Sequence, residues 1–234
     1  MNLKIEIVGL PASGKTYFFN CLKKKIKEDK INYVNMRSYK DLLLEQYLKK
    51  KTKVSLINKV IYKLYIKKVN VKSNFLFKKE YKDLNAFITQ NLKRNKDYSK
   101  ILPLYKNYIN TTNYSNERKS RILKNFQIDF MGAKFINSNY KFNIYDEGFF
   151  QKIFFNFECM TNLKFNLKEQ MTYLKFVPRP DLVVFINTNI TTCLKRAKSR
   201  VDGFLYNHKL IKNSKKKYFN KSVINFAKKN NIPI

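Results

Sequence analysis

A stretch near the start of the chain, Gly9–Thr16 with the sequence GLPASGKT, has the spacing of a phosphate-binding loop. Its glycines let the backbone curl so that N–H groups point at a phosphate, and the following helix adds the positive end of its dipole. We expect the Lys15 ammonium to reach the β- and γ-phosphates of ATP and the Thr16 hydroxyl to hold Mg²⁺. The residues predicted to bind the nucleotide are Gly9, Ala12, Ser13, Gly14, Lys15, Thr16 and Tyr17.

Two adjacent carboxylates, Asp146 and Glu147, directly follow a segment at 142–145 whose sequence favours a strand. Side chains at such a strand end can face a phosphate site. We predict that one of them serves Mg²⁺ through water, with Asp146 as the metal candidate, and that the other deprotonates or orients an acceptor hydroxyl. The residues alone do not assign the two roles. The alternative is a solvated turn, because acids are common in turns.

Arginine is scarce in this chain, since only seven of the 49 basic residues are arginine. Arg196 and Arg200 lie one turn apart on a predicted helix, where their guanidinium groups could stabilise charge on a transferring phosphoryl group. An ordinary basic helix face is the alternative, because Lys195 and Lys198 stand beside them. Three further arginines are candidates for binding the acceptor: Arg37, Arg118 and Arg121.

Short apolar and β-branched segments predict the strands that would position these residues. The predicted strands are 3–8, 31–36, 142–145 and 182–186, the last of them fully buried and central. We expect Asp181 to cap or orient that last strand. A final helix at about 215–229 leads into residues 232–234, which read as the start of a fifth strand that is short or missing.

The long stretch 39–130 is rich in lysine and helical patterns, and we predict that it is a helical insertion folding over the nucleotide site. One amphipathic pattern covers 54–65. We expect Pro103 and the polar cluster at 110–113 to break the insertion into segments. The insertion is also the expected acceptor-binding region.

The formal charge of +33 suits a polyanion partner, but the charge is not concentrated in any arm or stripe. Because lysine greatly outnumbers arginine, we expect non-specific polyanion binding at low salt and no dedicated nucleic-acid recognition.

The apolar runs are too short to span a membrane, and the chain enters its first strand at once, so we expect neither membrane span nor signal peptide. Three scattered cysteines indicate reduced thiols in a cytoplasmic protein. With one histidine and no cysteine cluster, we expect neither a structural zinc site nor a Ser-His-Asp triad, and we expect His208 in a lid or on the surface.

These landmarks, in this order, resemble the P-loop nucleoside and nucleotide kinases, especially the thymidylate kinase and deoxynucleoside kinase group. The matching pieces are GLPASGKT, the acidic pair, the strand PDLVVFINT and the helix LKRAKSR, where family members carry lid arginines. Those kinases usually have an acid followed by arginine. The form Asp146-Glu147-Gly148 instead resembles small uncharacterised P-loop kinases of bacterial genomes.

The resemblance implies an α/β, three-layer P-loop NTPase fold with a parallel sheet of order 2-3-1-4-5, and a single kinase-like domain over residues 1–234. Ligands would lie above the carboxyl ends of the strands. The expected function is an ATP- and Mg²⁺-dependent phosphotransferase acting on a small hydroxyl- or phosphate-bearing acceptor, with nucleosides and nucleotides among the candidates. The alternatives are a polynucleotide 5′-hydroxyl kinase and a nucleotide-dependent switch or assembly ATPase that binds a protein partner.

Overall fold

The structure, a computed structural model, describes residues 2–50, 78–112, 114–135, 140–153, 167–199 and 216–234. Within these ranges one sheet contains four strands: β1 (Leu3–Gly9), β2 (Tyr33–Asn35), β3 (Phe142–Tyr145) and β4 (Leu182–Ile186). Their order across the sheet is β2-β3-β1-β4, and all neighbouring pairs are parallel. The chain is therefore an α/β protein with the predicted order of the first four strands confirmed.

Two strand predictions need correction. β2 is shorter than the predicted 31–36, because a 3₁₀ helix begins at Met36 and the Asn35 side chain accepts a hydrogen bond from the Arg37 N–H at 2.7 Å. β4 has the predicted bounds, but in it only Val183 is buried, and the other residues are half-buried. The physical reason is its position, since β4 is an outer strand of the described sheet.

Helices cover both faces of the sheet, because successive strand residues point to opposite sides. The described helices are α1 (Lys15–Glu28), α2 (Tyr39–Lys50), α3 (Lys78–Lys93), α4 (Lys96–Asn110), α5 (Asn116–Phe135), α6 (Phe149–Ile153), α7 (Leu167–Phe176), α8 (Ile190–Lys198) and α9 (Lys216–Lys229). Helix α1 packs with Leu22 and Ile26 against Ile7 and Ile144 of the sheet. The opposite face carries a larger cluster that includes Val8.

The described helices within 39–130 are not set apart from the core. Tyr105 of α4 stacks on Phe126 of α5 with ring centroids 3.9 Å apart, and Phe126 meets Phe149 of α6 edge to face at 6.1 Å. All three rings belong to the cluster that also contains Val8 of β1. Burial of aromatic rings of this size makes the largest contribution to the hydrophobic stabilisation of such a core. The amphipathic pattern predicted at 54–65 lies outside the described residues.

Pro103 does not break the insertion as predicted, because it lies inside helix α4. The proline is exposed, so the carbonyl that loses its helical partner is on the solvent side, where water can replace the bond. Buried side chains on the opposite face, Tyr98, Ile101 and Tyr105, hold the helix against the core. Helix α4 ends at Asn110, the first residue of the polar cluster that we expect to interrupt the insertion, and Asn113 lies outside the described residues.

The C-terminal residues run beside the sheet without being a fifth strand. Helix α9 is followed by residues 230–234, and the Val183 N–H of β4 donates to the Pro233 carbonyl at 3.0 Å. Asp181 ties the start of β4 to β1, because its Oδ2 accepts from the Lys4 N–H at 2.8 Å. Of the helices in the described ranges, none has both the length and the apolar character that a membrane crossing needs.

We expect Gly132→Ala in α5 to destabilise the protein, by about 1–3 kcal/mol, although alanine is the better helix former. A Cβ at this position would lie 2.4 Å from Cγ and 2.8 Å from Cβ of Tyr39, a buried residue that cannot move aside cheaply. Urea denaturation measures the change. The control is Ser120→Ala, at an exposed position of the same helix. A gain in stability at Gly132 similar to that at Ser120 would contradict the close packing of α2 on α5.

Candidate active site

The segment between β1 and α1 has the backbone that a phosphate-binding loop requires. Gly14 stands at the N-cap of α1 with φ of 103°, and Ala12 has φ of 59°, both in the left-handed region. For Ala12 this conformation costs energy that the surrounding structure must offset. Because the N-cap residue Gly14 has no side chain, it offers no cap to the first N–H groups of α1. This arrangement favours an anion at the loop.

Lys15 and Ser13 both place polar side-chain atoms at the loop. The Lys15 ammonium donates to the carbonyls of Gly9 and Leu10, at 2.8 and 2.9 Å, so the charge lies at the loop rather than out in solvent. Ser13 is buried, and its Oγ has no hydrogen-bond partner among the described residues. A buried hydroxyl without a partner is costly unless a ligand or water supplies one. The loop therefore offers a cation and an unsatisfied hydroxyl together.

Arg196, predicted to act on a phosphoryl group, reaches the loop from helix α8. Its Nη1 lies 3.3 Å from the Ser13 carbonyl and would lie 3.6 Å from a Cβ placed on Gly14. The Thr188 hydroxyl donates to the same Ser13 carbonyl at 2.7 Å, which fixes the segment between β4 and α8 against the loop. Arg200 and His208 lie outside the described residues.

The start of the loop is held by a buried polar relay that the sequence did not suggest. Gln151 of α6 accepts a hydrogen bond from the Gly9 N–H at its Oε1, at 2.8 Å, and the Gln151 N–H donates to Glu6 Oε1 at 2.8 Å. Glu6 lies on β1 and is fully buried. Gly148 is required for this approach, because a Cβ there would lie 2.4 Å from Glu6 Cδ. The glycine after the acidic pair therefore has a packing role.

Burial raises the pKa of the Glu6 carboxyl to about 8. The lowering influences are weaker and come from the backbone N–H groups at the start of α6 and from the Lys152 charge. Glu6 Oε2 has no hydrogen-bond partner in the described part of the chain. An unpaired oxygen in a dry site favours the protonated acid.

Asp146 is buried and Glu147 exposed, so the two predicted acids have different surroundings. Asp146 Oδ2 lies 2.6 Å from Arg37 Nη2, an ion pair in which the arginine side chain is 67% exposed and the aspartate 8%. Arg37 comes from the 3₁₀ helix after β2 and Asp146 from the end of β3. The structure thus joins a predicted metal ligand to a predicted acceptor-binding residue at neighbouring strand ends.

Beside this ion pair is a cavity of about 580 Å³, within the range of small-molecule sites. All three arginines predicted to bind the acceptor line it, together with both acids. The polar and charged lining residues are Arg37, Lys40, Arg118, Arg121, Asn125, Asp129, Asp146, Glu147, Gln151 and Lys152. Three tyrosines, Tyr105, Tyr108 and Tyr114, add aromatic surface, and the Arg118 guanidinium stacks on the Tyr114 ring at 3.9 Å.

Asp129 and Lys152 form a second ion pair in the cavity wall, which sequence reasoning missed. Lys152 Nζ lies 2.9 Å from Asp129 Oδ2 and donates to the Glu147 carbonyl at 3.0 Å. Burial raises the pKa of Asp129, although the Lys152 charge opposes the shift. A lone acid between apolar residues of a helix, as in Ile128-Asp129-Phe130, was the available signal. No comparable sequence pattern points to Gln151.

Thr16 lies at the start of α1 and lines a neighbouring cavity of about 630 Å³ that Arg37 also lines. In the described ranges no group of three His, Cys, Asp or Glu side chains could hold a metal by itself. Thr16 and Asp146 line neighbouring cavities and offer a hydroxyl and a carboxylate oxygen, and Mg²⁺ commonly takes one or two such protein oxygens, with nucleotide phosphates and water completing its shell. Tyr17, predicted to bind the nucleotide, is 77% exposed on α1.

No protein-family model matches this chain, and a search of curated proteins found no significant match.

The raised pKa of Glu6 predicts a stability that depends on pH. The folded protein keeps a proton that the unfolded chain loses above its ordinary glutamate pKa of 4.5, so the free energy of unfolding falls as pH rises from about 4.5 through about 8. Glu6→Gln keeps an oxygen for the Gln151 N–H and removes the titration. We expect Glu6→Gln to gain stability relative to the wild type across this range, in urea melts at several pH values. A difference that stays constant from about pH 5 to 8.5 would contradict the raised pKa.

Proposed function

We propose that this protein is an ATP- and Mg²⁺-dependent phosphotransferase of the P-loop kinase type, with the three-layer fold of that class and a small anionic acceptor. The observation that carries the proposal is one juxtaposition. The loop between β1 and α1, which Lys15 and Arg196 contact, is joined through Gln151 to a cavity lined by three acids and three arginines. Donor and acceptor sites of a phosphoryl transfer need this proximity.

The loop residues would bind and orient the nucleotide phosphates. The first N–H groups of α1, which follow the N-cap glycine, and the Lys15 ammonium supply positive charge, and the buried Ser13 hydroxyl supplies a further hydrogen-bonding group. Arg196 lies where its guanidinium can reach a phosphoryl group in transit, because it already contacts the loop backbone. Charge stabilisation of this kind is the main protein contribution to phosphoryl transfer.

Asp146 and Glu147 would have different roles, one in binding the metal and the other in activating the acceptor. Thr16 and Asp146 are the residues that would hold Mg²⁺, which neutralises phosphate charge when bound. Asp146 is buried and held by Arg37, whereas Glu147 is exposed at the cavity. Glu147 is therefore the acid better placed to accept a proton from, or orient, an acceptor hydroxyl.

The cavity chemistry favours an acceptor with negative charge. Three of the seven arginines in the chain line this one cavity, in a sequence that uses lysine almost everywhere else. Arginine presents a planar fork that binds carboxylate or phosphate at two points, which lysine does not. Five cationic side chains stand against three carboxylates in the wall. The tyrosine rings suit a flat or apolar part of the same molecule.

The direct test is transfer of labelled γ-phosphate from ATP into a panel of nucleosides, nucleotides, sugars, sugar phosphates and oligonucleotides. We expect transfer into a small phosphate- or carboxylate-bearing member. Transfer into oligonucleotide 5′-hydroxyls alone would favour a polynucleotide kinase. ATP hydrolysis that no panel member accelerates would favour a nucleotide-dependent switch instead.

We expect Arg196→Lys to lower kcat on the order of 10²-fold while changing the KM for ATP much less. Lysine keeps the charge but loses the two-point contact, so the loss would report geometry rather than net charge. Lys195→Gln and Lys198→Gln on the same helix are the controls, because both residues are exposed. Small, equal effects at all three positions would mean that α8 presents only a solvated basic face.

Arg118→Lys and Arg121→Lys should raise the KM for the acceptor found in the panel on the order of 10-fold, with the KM for ATP unchanged. Both arginines line the cavity, whereas Arg196 contacts the backbone of the loop. Arg94→Lys is the matched control, since Arg94 is exposed and is not a lining residue. An unchanged acceptor KM in both cavity variants would place the acceptor elsewhere.

A further inference from the structure

Gln151 is the side chain through which the loop and the cavity are connected. It is fully buried on α6 and lines the cavity together with Asp146 and Glu147. Its Oε1 is 2.8 Å from the N–H of Gly9, the first residue of the phosphate-binding loop. Neither the sequence pattern nor the expected kinase site assigns this residue a function.

The hydrogen bond to Gly9 fixes which way the Gln151 amide faces. A backbone N–H can only donate, so the atom opposite it must be the carbonyl oxygen of the amide. The Nε2 group, with two N–H donors, therefore faces away from Gly9. Among the described residues, Nε2 has no hydrogen-bond partner, and it is buried. Buried donors are nearly always satisfied, so this group is expected to meet an acceptor that the protein does not supply.

The amide is also held rigidly. The Gln151 backbone N–H donates to Glu6 Oε1, and Glu6 and Gly9 both belong to β1, the strand that leads into the loop. Anchoring at both ends removes the freedom of a long side chain before any ligand arrives. A donor prepared in this way loses little entropy when it binds.

We propose that Gln151 is a ligand-binding residue whose Nε2 donates to a phosphate oxygen at the junction of the loop and the cavity. The inference rests on the proposed function, since it requires an anion at this junction. The oxygen can belong to the terminal phosphate of ATP or to an anionic group in the cavity. Both sources share the same chemistry, and the experiment below separates them.

The chain contains a close match for the control. Gln170 of α7 is also fully buried, its Oε1 accepts from the Ser222 hydroxyl at 2.7 Å, and its Nε2 likewise lacks a partner among the described residues. Gln170 is not a lining residue of the cavity. Substitutions at Gln170 therefore report the cost of changing a buried glutamine without changing the site.

The main variant is Gln151→Glu in the full-length protein, which keeps an oxygen for the Gly9 N–H and replaces the donor group with an acceptor. Calorimetry gives the affinities for ATP and for ADP, each with Mg²⁺. Titration of inorganic phosphate into protein saturated with a non-hydrolysable ATP analogue, followed by ³¹P NMR, gives the affinity of the cavity. Gln151→Met removes the donor without adding charge. If the glutamate variant does not fold, the same affinities are measured for Gln151→Met. Gln170→Glu and Gln170→Met are measured in parallel.

Loss of ATP affinity on the order of 10-fold beyond any loss of ADP affinity would show that Nε2 contacts the terminal phosphate. Unchanged ATP affinity with a similar loss for inorganic phosphate would show that it contacts an anion in the cavity. Equal losses for ATP and ADP, no loss for any probe, or the same losses in the Gln170 variants would overturn the proposal.

Failure of the proposed function gives different results. Wild-type protein that binds neither ATP nor phosphate would end both proposals. Wild-type protein that binds ATP but transfers no phosphate, with ATP binding still sensitive to Gln151, would end only the kinase assignment.

Discussion

The buried contact between β1 and the start of α6 is the constraint on which the site depends. Glu6 accepts the Gln151 N–H, and Gln151 in turn accepts the Gly9 N–H, so one strand holds both the helix and the loop. The approach is possible only because Gly148 has no side chain. The same turn carries Asp146 and Glu147, which places the acids and the phosphate-binding loop in a fixed relation. The two hydrogen bonds of this buried relay tie β1, α6 and the loop together in one arrangement.

The arginines of the candidate site are brought to it by different elements of the fold rather than by one stretch of sequence. Arg196 reaches the loop from α8, Arg37 reaches Asp146 from the end of β2, and Arg118 and Arg121 reach the cavity from α5. Four of the few arginines thus converge on one edge of the sheet, while lysines carry most of the +33 charge. Charge that is spread over a surface acts mainly through long-range attraction and is screened by salt. The converging arginines are the part that can recognise a ligand.

Much of the sheet could be predicted from the sequence because its signals are local. The bounds of β3 and β4 follow from short apolar segments, and the order of the four strands agrees with what the resemblance to P-loop kinases implies. The half-buried state of β4 could not be predicted, because it depends on which strands lie beside it. Pro103 was misjudged for a similar reason, since packing of the buried face of α4 outweighs one lost hydrogen bond.

The same distinction between local signals and long-range contacts applies to the residues of the candidate site. Lys15, Asp146 and Arg196 were identified from residue type and position, whereas Gln151 and Asp129 were missed. The position of Asp129 between apolar residues is a local signal but does not identify its partner, and Gln151 has no distinctive spacing. The importance of both residues comes from contacts between residues more than twenty positions apart. Reasoning from local pattern does not reach such contacts, because the distant partner determines the role.

The central claim is that the loop between β1 and α1 binds the phosphates of a nucleotide. Calorimetric titration of ATP with Mg²⁺ into the wild type, Lys15→Ala and Lys27→Ala tests it most directly, because Lys27 is an exposed lysine on the same helix. We expect the wild type and Lys27→Ala to bind alike and Lys15→Ala to lose affinity by roughly two orders of magnitude. Tight ATP binding by folded Lys15→Ala protein, or no ATP binding by the wild type, would contradict the account.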